Sequence, residues 1–271
     1  MADTIALTSG IRNNLLSLQN TAGLISTTQQ RLASGLKVNS PIDDASAYFT
    51  ATAARGRAND LSSRKNEIGE AIQTIKAASS GIDSISQLID AAKGVAESAR
   101  SATTAGRSTL AAQFNDILSQ IDYTGADAKY KGTNLLASGT LTVKTNEDGT
   151  SKISLNGFDA TSTVGLSVSA IAASTWTVDS AIDAAVSQLT AAQSTLRTQA
   201  STLGAVSSSL TIRDSFLDNL KNVLREGADK LTVADQNAEG ANLLSLQTRQ
   251  QLGVISLSLA NQSQQAILRL F

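Results

Sequence analysis

The chain contains neither cysteine nor histidine among its 271 residues. Without cysteine there is no disulfide framework and no thiol chemistry, and the redox compartment stays undetermined. Without histidine the sequence lacks the usual general base near neutral pH and the commonest metal ligand. A Walker-type loop and a GxGxxG motif are also missing. Enzymatic chemistry is therefore a poor explanation of this sequence, and we predict no catalytic residue, cofactor site or metal site.

Proline and aromatic residues are almost as scarce, with one proline and 3% aromatics. An average soluble chain of this length would contain roughly a dozen prolines. Such a composition favours long, narrowly packed helices over a thick globular core. No membrane span is expected, because long apolar runs are missing, and the N-terminus lacks the pattern of a cleaved secretory signal. Taken alone, these features and the formal net charge of −1 favour a cytoplasmic protein that does not bind nucleic acid.

Both ends of the chain carry residues at alternating spacings of three and four, the a/d pattern of a coiled coil. At the N-terminal end the pattern consists of Ile11, Leu15, Leu18, Ala22, Ile25, Gln29, Leu32 and Leu36. At the C-terminal end it consists of Leu252, Ile255, Leu259, Gln262 and Ala266. We expect the two terminal helices to pair along these stripes.

Two further heptad series lie in the interior of the chain. The first consists of Leu61, Ile68, Ile75, Ile82 and Ile89, broadened by Ile72 and Ile85. The second consists of Ile182, Leu189, Leu196, Leu203, Leu210, Leu217, Leu224 and Leu231. A continuous helix over residues 182–231 would be about 74 Å long, whereas a compact globule of this size would be about 48 Å across. The sequence therefore predicts an elongated molecule.

The centre of the chain has a different pattern. Residues 101–109 form a turn-rich break, and the apolar residues from Leu110 to Ile121 predict a shorter amphipathic helix. From residue 139 the period changes to two, and TLTVKT and TSKISLNG flank NEDG, which predicts a β-hairpin. Residues 161–176 predict a loop with at most one strand. The expected fold is mostly α, an elongated antiparallel coiled-coil or helical bundle with paired terminal helices and a small β-hairpin insertion.

The only proline lies in NSPIDDASAYF, residues 39–49, beside two adjacent aspartates. Paired carboxylates can hold a metal, but no histidine or third carboxylate lies nearby in the sequence. Ser40, Pro41 and Asp43 instead match an N-cap, a first helical residue and a capping box. Carboxylates in the first turn also favour the positive end of the helix dipole. We expect this junction motif to begin a helix; it comprises Asn39, Ser40, Pro41, Asp43 and Asp44.

The terminal segments are nearly free of charge. Only two residues between Thr4 and Leu36 are charged, and only two between Ala241 and Phe271; all four are arginines. Solvated helix faces normally carry many charges, so these segments indicate surfaces that are buried against other copies of the chain. An intramolecular bundle with a polar but uncharged face is the alternative. The predicted assembly interface comprises Ile11, Leu15, Leu18, Ile25, Leu32, Leu36, Leu252, Ile255, Leu259 and Ala266.

Three segments resemble the bacterial flagellin family. RLASGLKVNSPIDDASAY, residues 31–48, is similar to the N-terminal signature of that family, although Ser46 and Ala47 follow where a glycine is usual. GTNLL, residues 132–136, is similar to the segment that follows the second helix. Residues 234–271 resemble the C-terminal signature, including Ala260-Asn261-Gln262 and the closing Leu270-Phe271. The short centre of the chain indicates a form that lacks the outer variable domains.

The resemblance implies an extracellular structural subunit that polymerises with itself into the flagellar filament for motility. It implies export through the flagellar type III channel without a cleaved signal peptide, which replaces the cytoplasmic expectation. The partners implied are the export apparatus, a filament cap, a hook-associated junction protein and an export chaperone. Residues 1–39 and 232–271 would form the inner core of the filament, residues 40–138 and 177–231 a helical bundle, and residues 139–176 a variable insertion.

Other classes of protein share parts of this pattern. A hook–filament junction protein has similar ends but a different C-terminal pattern. A soluble coiled-coil signalling bundle also uses long heptads rich in alanine, serine and glutamine, but the terminal signatures do not fit it. A leucine-zipper DNA-binding protein needs a basic helix before its leucines, and TWTVDSAIDAA is acidic.

Overall fold

The computed structural model describes residues 9–172 and 174–268, except for the side chains of residues 264 and 266–268. Within these residues the helices are α1 (Ser9–Ser34), α2 (Ala45–Ser101), α3 (Thr104–Asp127), α4 (Asp179–Thr232) and α5 (Gln236–Leu268). The strands are β1 (Lys129–Tyr130), β2 (Thr133–Asn134), β3 (Thr140–Lys144) and β4 (Lys152–Asn156). A mostly α fold with a small β insertion is thereby confirmed. No helix in the described part of the chain is both long and apolar enough to cross a membrane.

The chain divides into two compact units. Unit 1 extends to Gly56 and resumes at Val223, and unit 2 comprises Arg57–Asn222. Helices α2 and α4 therefore contribute residues to both units. The expected three-part division into terminal core, helical bundle and insertion stays a prediction.

In unit 2, α2 and α4 run antiparallel and bury the heptad positions that lie within this unit, whereas Leu224 and Leu231 belong to unit 1 and are half-buried. Leu61, Ile68, Ile75, Ile82 and Ile89 of α2 are at most 2% exposed, as are Ile182, Leu189, Leu196, Leu210 and Leu217 of α4. Polar side chains join the two helices along their length. Lys65 contacts Asp218, Lys93 contacts Gln193, and Arg100 contacts Asp183. The seven-residue spacing therefore identified the buried faces correctly.

The predicted break at residues 101–109 is much shorter than expected, because α3 already begins at Thr104. Thr103 caps α3 by accepting a hydrogen bond from Gly106 N. Arg107 compensates for the sharp reversal: its guanidinium donates to Arg100 O (3.0 Å), Thr177 O (3.3 Å) and Asp179 Oδ1 (2.7 Å). One side chain thereby satisfies a carbonyl at the end of α2 and anchors the start of α4.

The β-hairpin around NEDG is confirmed as β3 and β4, with Thr140 opposite Asn156 and Lys144 opposite Lys152. Gly149 in its turn has φ +68°, a conformation that glycine adopts without steric cost. Glu147 at the tip pairs with Arg57 (3.0 Å).

A second hairpin, β1 and β2, was not anticipated. Its two-residue turn, Lys131-Gly132, has φ values of 46° and 87°, as a type I′ turn requires. The described residues of 161–176 form turns and contain no strand.

Replacing Gly81 with alanine should destabilise unit 2 by about 1–3 kcal/mol, the usual effect of overpacking. The added Cβ would lie 2.6 Å from Leu136 Cδ1 and 2.8 Å from Ala128 Cβ. Gly94 in the same helix has no such neighbour within 4 Å, so G94A is the matched control. Urea unfolding can be followed by the fluorescence of Trp176, the only tryptophan, which is fully buried in unit 2. Equal unfolding midpoints for G81A and G94A would contradict this packing.

Unit 2 should lose stability in acid through Asp218. Hydrogen bonds from Lys221 and Lys65 lower the pKa of this carboxyl from 3.8 to about 2. A lowered folded-state pKa means that the stabilisation is complete above about pH 4 and is lost as the pH falls towards 2. The melting temperature should therefore fall more steeply over this interval in the unsubstituted chain than in D218N. Parallel curves would show that the two lysines contribute nothing to stability.

Candidate assembly interface

Within unit 1, α1 and α5 pack as an antiparallel pair, which confirms the expected pairing of the terminal helices. Asn14 Nδ2 donates to Ser256 Oγ (3.1 Å), and Arg31 pairs with Glu239 (3.1 Å). The step from Asn14 to Arg31 is 17 residues along α1, and the step from Ser256 back to Glu239 is 17 residues along α5. The two contacts therefore belong to one register.

The residues buried or half-buried between these helices form what we call the inner seam. On α1 it comprises Ile11, Asn14, Leu18, Thr21, Ile25, Thr28 and Leu32. On α5 it comprises Glu239, Leu243, Leu246, Gln250, Gly253, Leu257 and Ala260. Both sets alternate spacings of three and four, so this contact is a short antiparallel coiled coil.

The predicted stripe on α1 is only half correct. Ile11, Leu18, Ile25 and Leu32 lie in the inner seam, but Leu15 is 40% exposed and Ala22 and Gln29 face outward. Thr21 and Thr28 lie inside instead, at 5% and 3% exposure. Threonine can be buried here because a hydroxyl can bond its own helix, as Thr21 Oγ1 does to Ser17 O (2.8 Å).

The predicted stripe on α5 does not face α1 at all. Leu252, Ile255 and Leu259 are 62%, 63% and 66% exposed; together with Gln262 we call them the open seam. The side chain of Ala266 lies outside the described residues. Three leucines of the correct stripe, Leu243, Leu246 and Leu257, were visible in the sequence. Sequence reasoning missed the stripe because Glu239, Gln250, Gly253 and Ala260 occupy its other positions.

The two seams of α5 lie on nearly opposite faces of the helix. The open seam is displaced from the inner seam by two residues, as Leu252 is from Gln250 and Leu259 from Leu257. At about 100° per residue, this displacement places the two stripes about 160° apart. Helices with apolar residues on opposite sides are normally buried on both, and within unit 1 only one side of α5 is covered by α1.

Leu36, the last member of the predicted α1 stripe, lies beyond the end of the helix. Gly35 turns the chain with φ +71°, and Leu36 then forms an isolated β-bridge with Val233. Lys37 N donates to Thr232 O (2.8 Å) beside it. The two connections that leave α1 and enter α5 are thus tied together.

An ion pair lies at the inner seam, where Glu239 has a side chain only 13% exposed. Arg31 Nη1 reaches its Oε1, and Glu239 Oε2 is buried without a hydrogen-bond partner among the described residues. The Arg31 side chain is 38% exposed, so only the Glu239 carboxylate is largely buried, and separating the pair would leave that carboxylate without its counter-charge. The pair therefore disfavours other registers of α1 on α5.

The junction motif forms a turn before α2, and the predicted cap was placed on the wrong residue. Helix α2 begins at Ala45, and its N-cap is Asp44, whose Oδ1 accepts from Ala47 N (2.9 Å). Asp43 Oδ2 instead accepts from Ser40 N, Asn39 N and the Ser40 hydroxyl. These bonds lower the pKa of Asp43. Asp43 N donates to the main-chain Ser40 O (3.2 Å) and not to the Ser40 hydroxyl, as a Ser40 cap would require. Pro41 therefore lies in the turn and not in the first turn of α2.

No group of three or more carboxylates in the described part of the chain could hold a metal ion at this junction or elsewhere.

Two family models match the chain on either side of the β insertion. The bacterial flagellin N-terminal helical region matches residues 8–142, and the bacterial flagellin C-terminal helical region matches residues 179–271. Flagellin FljO of Caulobacter vibrioides is 31% identical over 281 aligned positions that cover 99% of this chain and 98% of that protein. The chain belongs to the bacterial flagellin family.

Other relatives match over shorter stretches. Flagellin C of Rhizobium meliloti is 45% identical over 92 residues, which cover 34% of this chain and 26% of that protein. A crystal structure of Bacillus cereus flagellin superposes with a TM-score of 0.48 at 15% identity, covering 57% of this chain and 88% of that one.

Replacing Gly253 with alanine should loosen the inner seam. The added Cβ would lie 2.7 Å from Leu18 Cδ2 and 3.1 Å from Leu18 Cγ. Gly240, in the same helix, has no such neighbour within 4 Å, and G240A should be neutral or stabilising by up to about 1 kcal/mol. Hydrogen exchange measured by mass spectrometry should show faster exchange in α1 and α5 of G253A alone. Identical protection in both variants would rule out the close approach at Gly253.

Proposed function

We propose that this chain assembles with further copies of itself through the open seam of α5 and the exposed leucines of α1. Membership of the flagellin family makes it a structural subunit of the extracellular flagellar filament, and implies a non-enzymatic role. The observation that carries the proposal is the two-sided character of α5. One apolar stripe is used within the chain, and the other stays exposed.

The exposed apolar residues of this helix pair are too numerous for an ordinary solvated surface. On α1 they include Leu15, Leu16 and Leu24, which are 40–58% exposed; on α5 they include Leu244, Leu252, Val254, Ile255 and Leu259, which are 56–66% exposed. Burying one such side chain completely contributes about 1.5–3 kcal/mol. Covering this surface would therefore be a strong driving force for association.

Charge is missing where a solvated surface would carry it. The described helices α1 and α5 contain four ionisable residues, Arg12, Arg31, Glu239 and Arg249, and two of them pair with each other. Burying these helices against other copies would therefore remove few charges from water. Desolvating unpaired charges is the largest penalty against burying a helix surface, and this helix pair largely avoids it.

The chemistry of the two exposed surfaces favours an open-ended assembly. The exposed leucines of α1 and the open seam of α5 are different residues in different arrangements. A contact between non-identical surfaces is heterologous, and such contacts extend into helical filaments unless their rotation closes a ring. We assign the inner core of the filament to residues 1–39 and 232–271 on this basis.

The proposal extends to the route and the partners that filament growth requires. Export would occur through the flagellar type III channel without a cleaved signal peptide, with an export chaperone in the cell. A hook-associated junction protein and a filament cap would bound the filament. The absence of cysteine supports this route, because an exported chain without thiols cannot be trapped by wrong disulfides.

Replacing Ile255 with aspartate should prevent polymerisation. Its side chain is 63% exposed in the single chain, so the substitution should leave the inner seam intact, whereas a buried unpaired carboxylate in an assembly is strongly unfavourable. I255L keeps the apolar side chain and is the matched control. Sedimentation and negative-stain electron microscopy after salt-induced polymerisation would compare the two variants.

The outcome separates two interpretations of the open seam. Filaments from I255L and none from I255D, with equal helix content by circular dichroism, are expected. Filaments of normal length from I255D would mean that the open seam is not an assembly surface.

A further inference from the structure

The β3–β4 hairpin of unit 2 has a covered face and an outer face of very different composition. Val143 and Leu155 are buried on the covered face, and the residues between them alternate with exposed ones. The exposed residues form three cross-strand pairs, Thr140 with Asn156, Thr142 with Ser154, and Lys144 with Lys152. We call these six residues the hairpin face. It presents three hydroxyls, one amide and two ammonium groups, and no carboxylate.

The two lysines of the hairpin face are direct cross-strand partners. Side chains in such positions have Cβ atoms about 4.5–5.5 Å apart, and like charges directly opposite each other are unfavourable. Lys65, Lys131 and Lys221 each pair with a carboxylate at 2.5–2.7 Å, whereas neither lysine of the hairpin face has such a partner among the described residues. The hairpin therefore holds two positive charges side by side without a counter-charge.

The acidic residues of the turn do not supply that counter-charge, because they interact with α2. Glu147 pairs with Arg57 at 3.0 Å. The hydrogen bond and the charge of Glu147 raise the pKa of Arg57, and the charge of Asp148 raises it further. Val143, on the covered face, lines a groove together with Ala71 of α2, so this helix lies on the covered side. The negative charges of the turn are thus balanced by α2, and the hairpin face stays positive.

The composition of the hairpin face limits the kind of partner that could supply the missing negative charge. The face has no apolar side chain that could enter a lipid bilayer and no aromatic ring on which a base could stack. Cores of protein–protein interfaces are enriched in aromatic residues and depleted in lysine, which is the opposite of this surface. Membranes, single-stranded nucleic acids and proteins are therefore poorer partners than a flexible, hydrophilic polyanion.

An acidic polysaccharide matches both halves of the hairpin face. The ammonium groups of Lys144 and Lys152 are donors for a sulfate or a carboxylate, and the hydroxyls and the amide can both donate to and accept from sugar hydroxyls. The hydroxyls of Thr142 and Ser154 lie 3.4 Å apart, so their mutual bond is weak and easily exchanged. The three pairs extend over about 13 Å at 3.3 Å per residue, long enough for more than one sugar unit.

We propose that the hairpin face binds acidic polysaccharides. An acidic group of the sugar chain lies between Lys144 and Lys152 and relieves their repulsion, and neighbouring sugar hydroxyls bond Thr142, Ser154 and Asn156. The inference goes beyond the proposed function. It needs the extracellular location that the flagellin family implies, where such polymers occur on cell surfaces, but it does not need polymerisation through the open seam.

Two matched double substitutions test the proposal on the full, unpolymerised chain. K144Q/K152Q removes the lysines of the hairpin face, and K76Q/K129Q removes two exposed lysines elsewhere in unit 2, so that both variants lose the same net charge. Dissociation constants are measured by titration calorimetry over a series of NaCl concentrations. The probes are heparin as a sulfated polysaccharide, polygalacturonate as a carboxylated one and dextran as a neutral one.

We expect the unsubstituted chain to bind an acidic polymer and not dextran. K144Q/K152Q should bind at least about tenfold more weakly at low salt, and the slope of log Kd against log salt should fall by about two, because each lysine contact releases about one counterion. K76Q/K129Q should bind within about twofold of the unsubstituted chain, since its lysines lie outside the contact. K144R/K152R keeps both charges and should retain binding. Unchanged Trp176 fluorescence would show that unit 2 stays folded in every variant.

The probes and variants together decide the outcome. Tighter binding of heparin or of polygalacturonate would identify the acidic group as sulfate or carboxylate. Equal weakening in the two glutamine variants would mean that net charge alone attracts the polymer, and the inference would be wrong. It would also be wrong if neither acidic polymer bound the unsubstituted chain, or if a DNA fragment bound more tightly through the same two lysines. Loss of polymerisation by the unsubstituted chain, measured separately, would overturn the proposed function and leave these results unaffected.

Discussion

The proposed assembly of this protein depends on one constraint: α5 carries two apolar stripes, and α1 covers only one of them. In the inner seam α1 covers Leu246 and Leu257, while Leu252, Ile255 and Leu259 stay exposed on nearly the opposite face. A single helix pair cannot bury both sides of a helix. The surface left over is therefore a consequence of the sequence itself, and the described residues leave it exposed.

The helix pair also needs a single register. A pair with few charges, whose apolar residues repeat at spacings of three and four, has several similar alignments. Two features select one of them. Gly253 admits the Leu18 side chain so closely that an added Cβ would lie 2.7 Å from Leu18 Cδ2, and the Arg31–Glu239 pair would be broken by a slip in either direction. The open seam is then presented in one defined orientation, which a regular polymer needs from each of its subunits.

The sequence predicted the buried face of a helix correctly where one stripe was clearly more hydrophobic than the alternative stripes. In α2 and α4, isoleucine and leucine recur every seven residues, and within unit 2 these positions are buried. In α1 and α5 several stripes compete. Hydrophobicity alone selected Leu15 and Leu252, whereas the structure buries Thr21 and Thr28 and brings Gly253 against Leu18. The burial of the threonines depends on a hydroxyl group that bonds its own helix, and the position of Gly253 depends on the close approach of Leu18 from α1. Composition reveals neither. The cap at Asp44 was missed for a similar reason, since Asp43 is used by the preceding turn.

The distribution of charge differs between the faces of this chain. Residues 57–76 of α2 carry exposed charges of both signs, whereas the open seam of α5 carries none. Exposed charges keep a protein soluble and disfavour non-specific association, and neutral faces permit close packing without a desolvation penalty. Because charged residues lie on some faces and are missing from others, only certain pairs of surfaces can pack against each other. In a chain without cysteine, and so without disulfides to fix its contacts, this partition is the simplest physical means of making association both strong and directional.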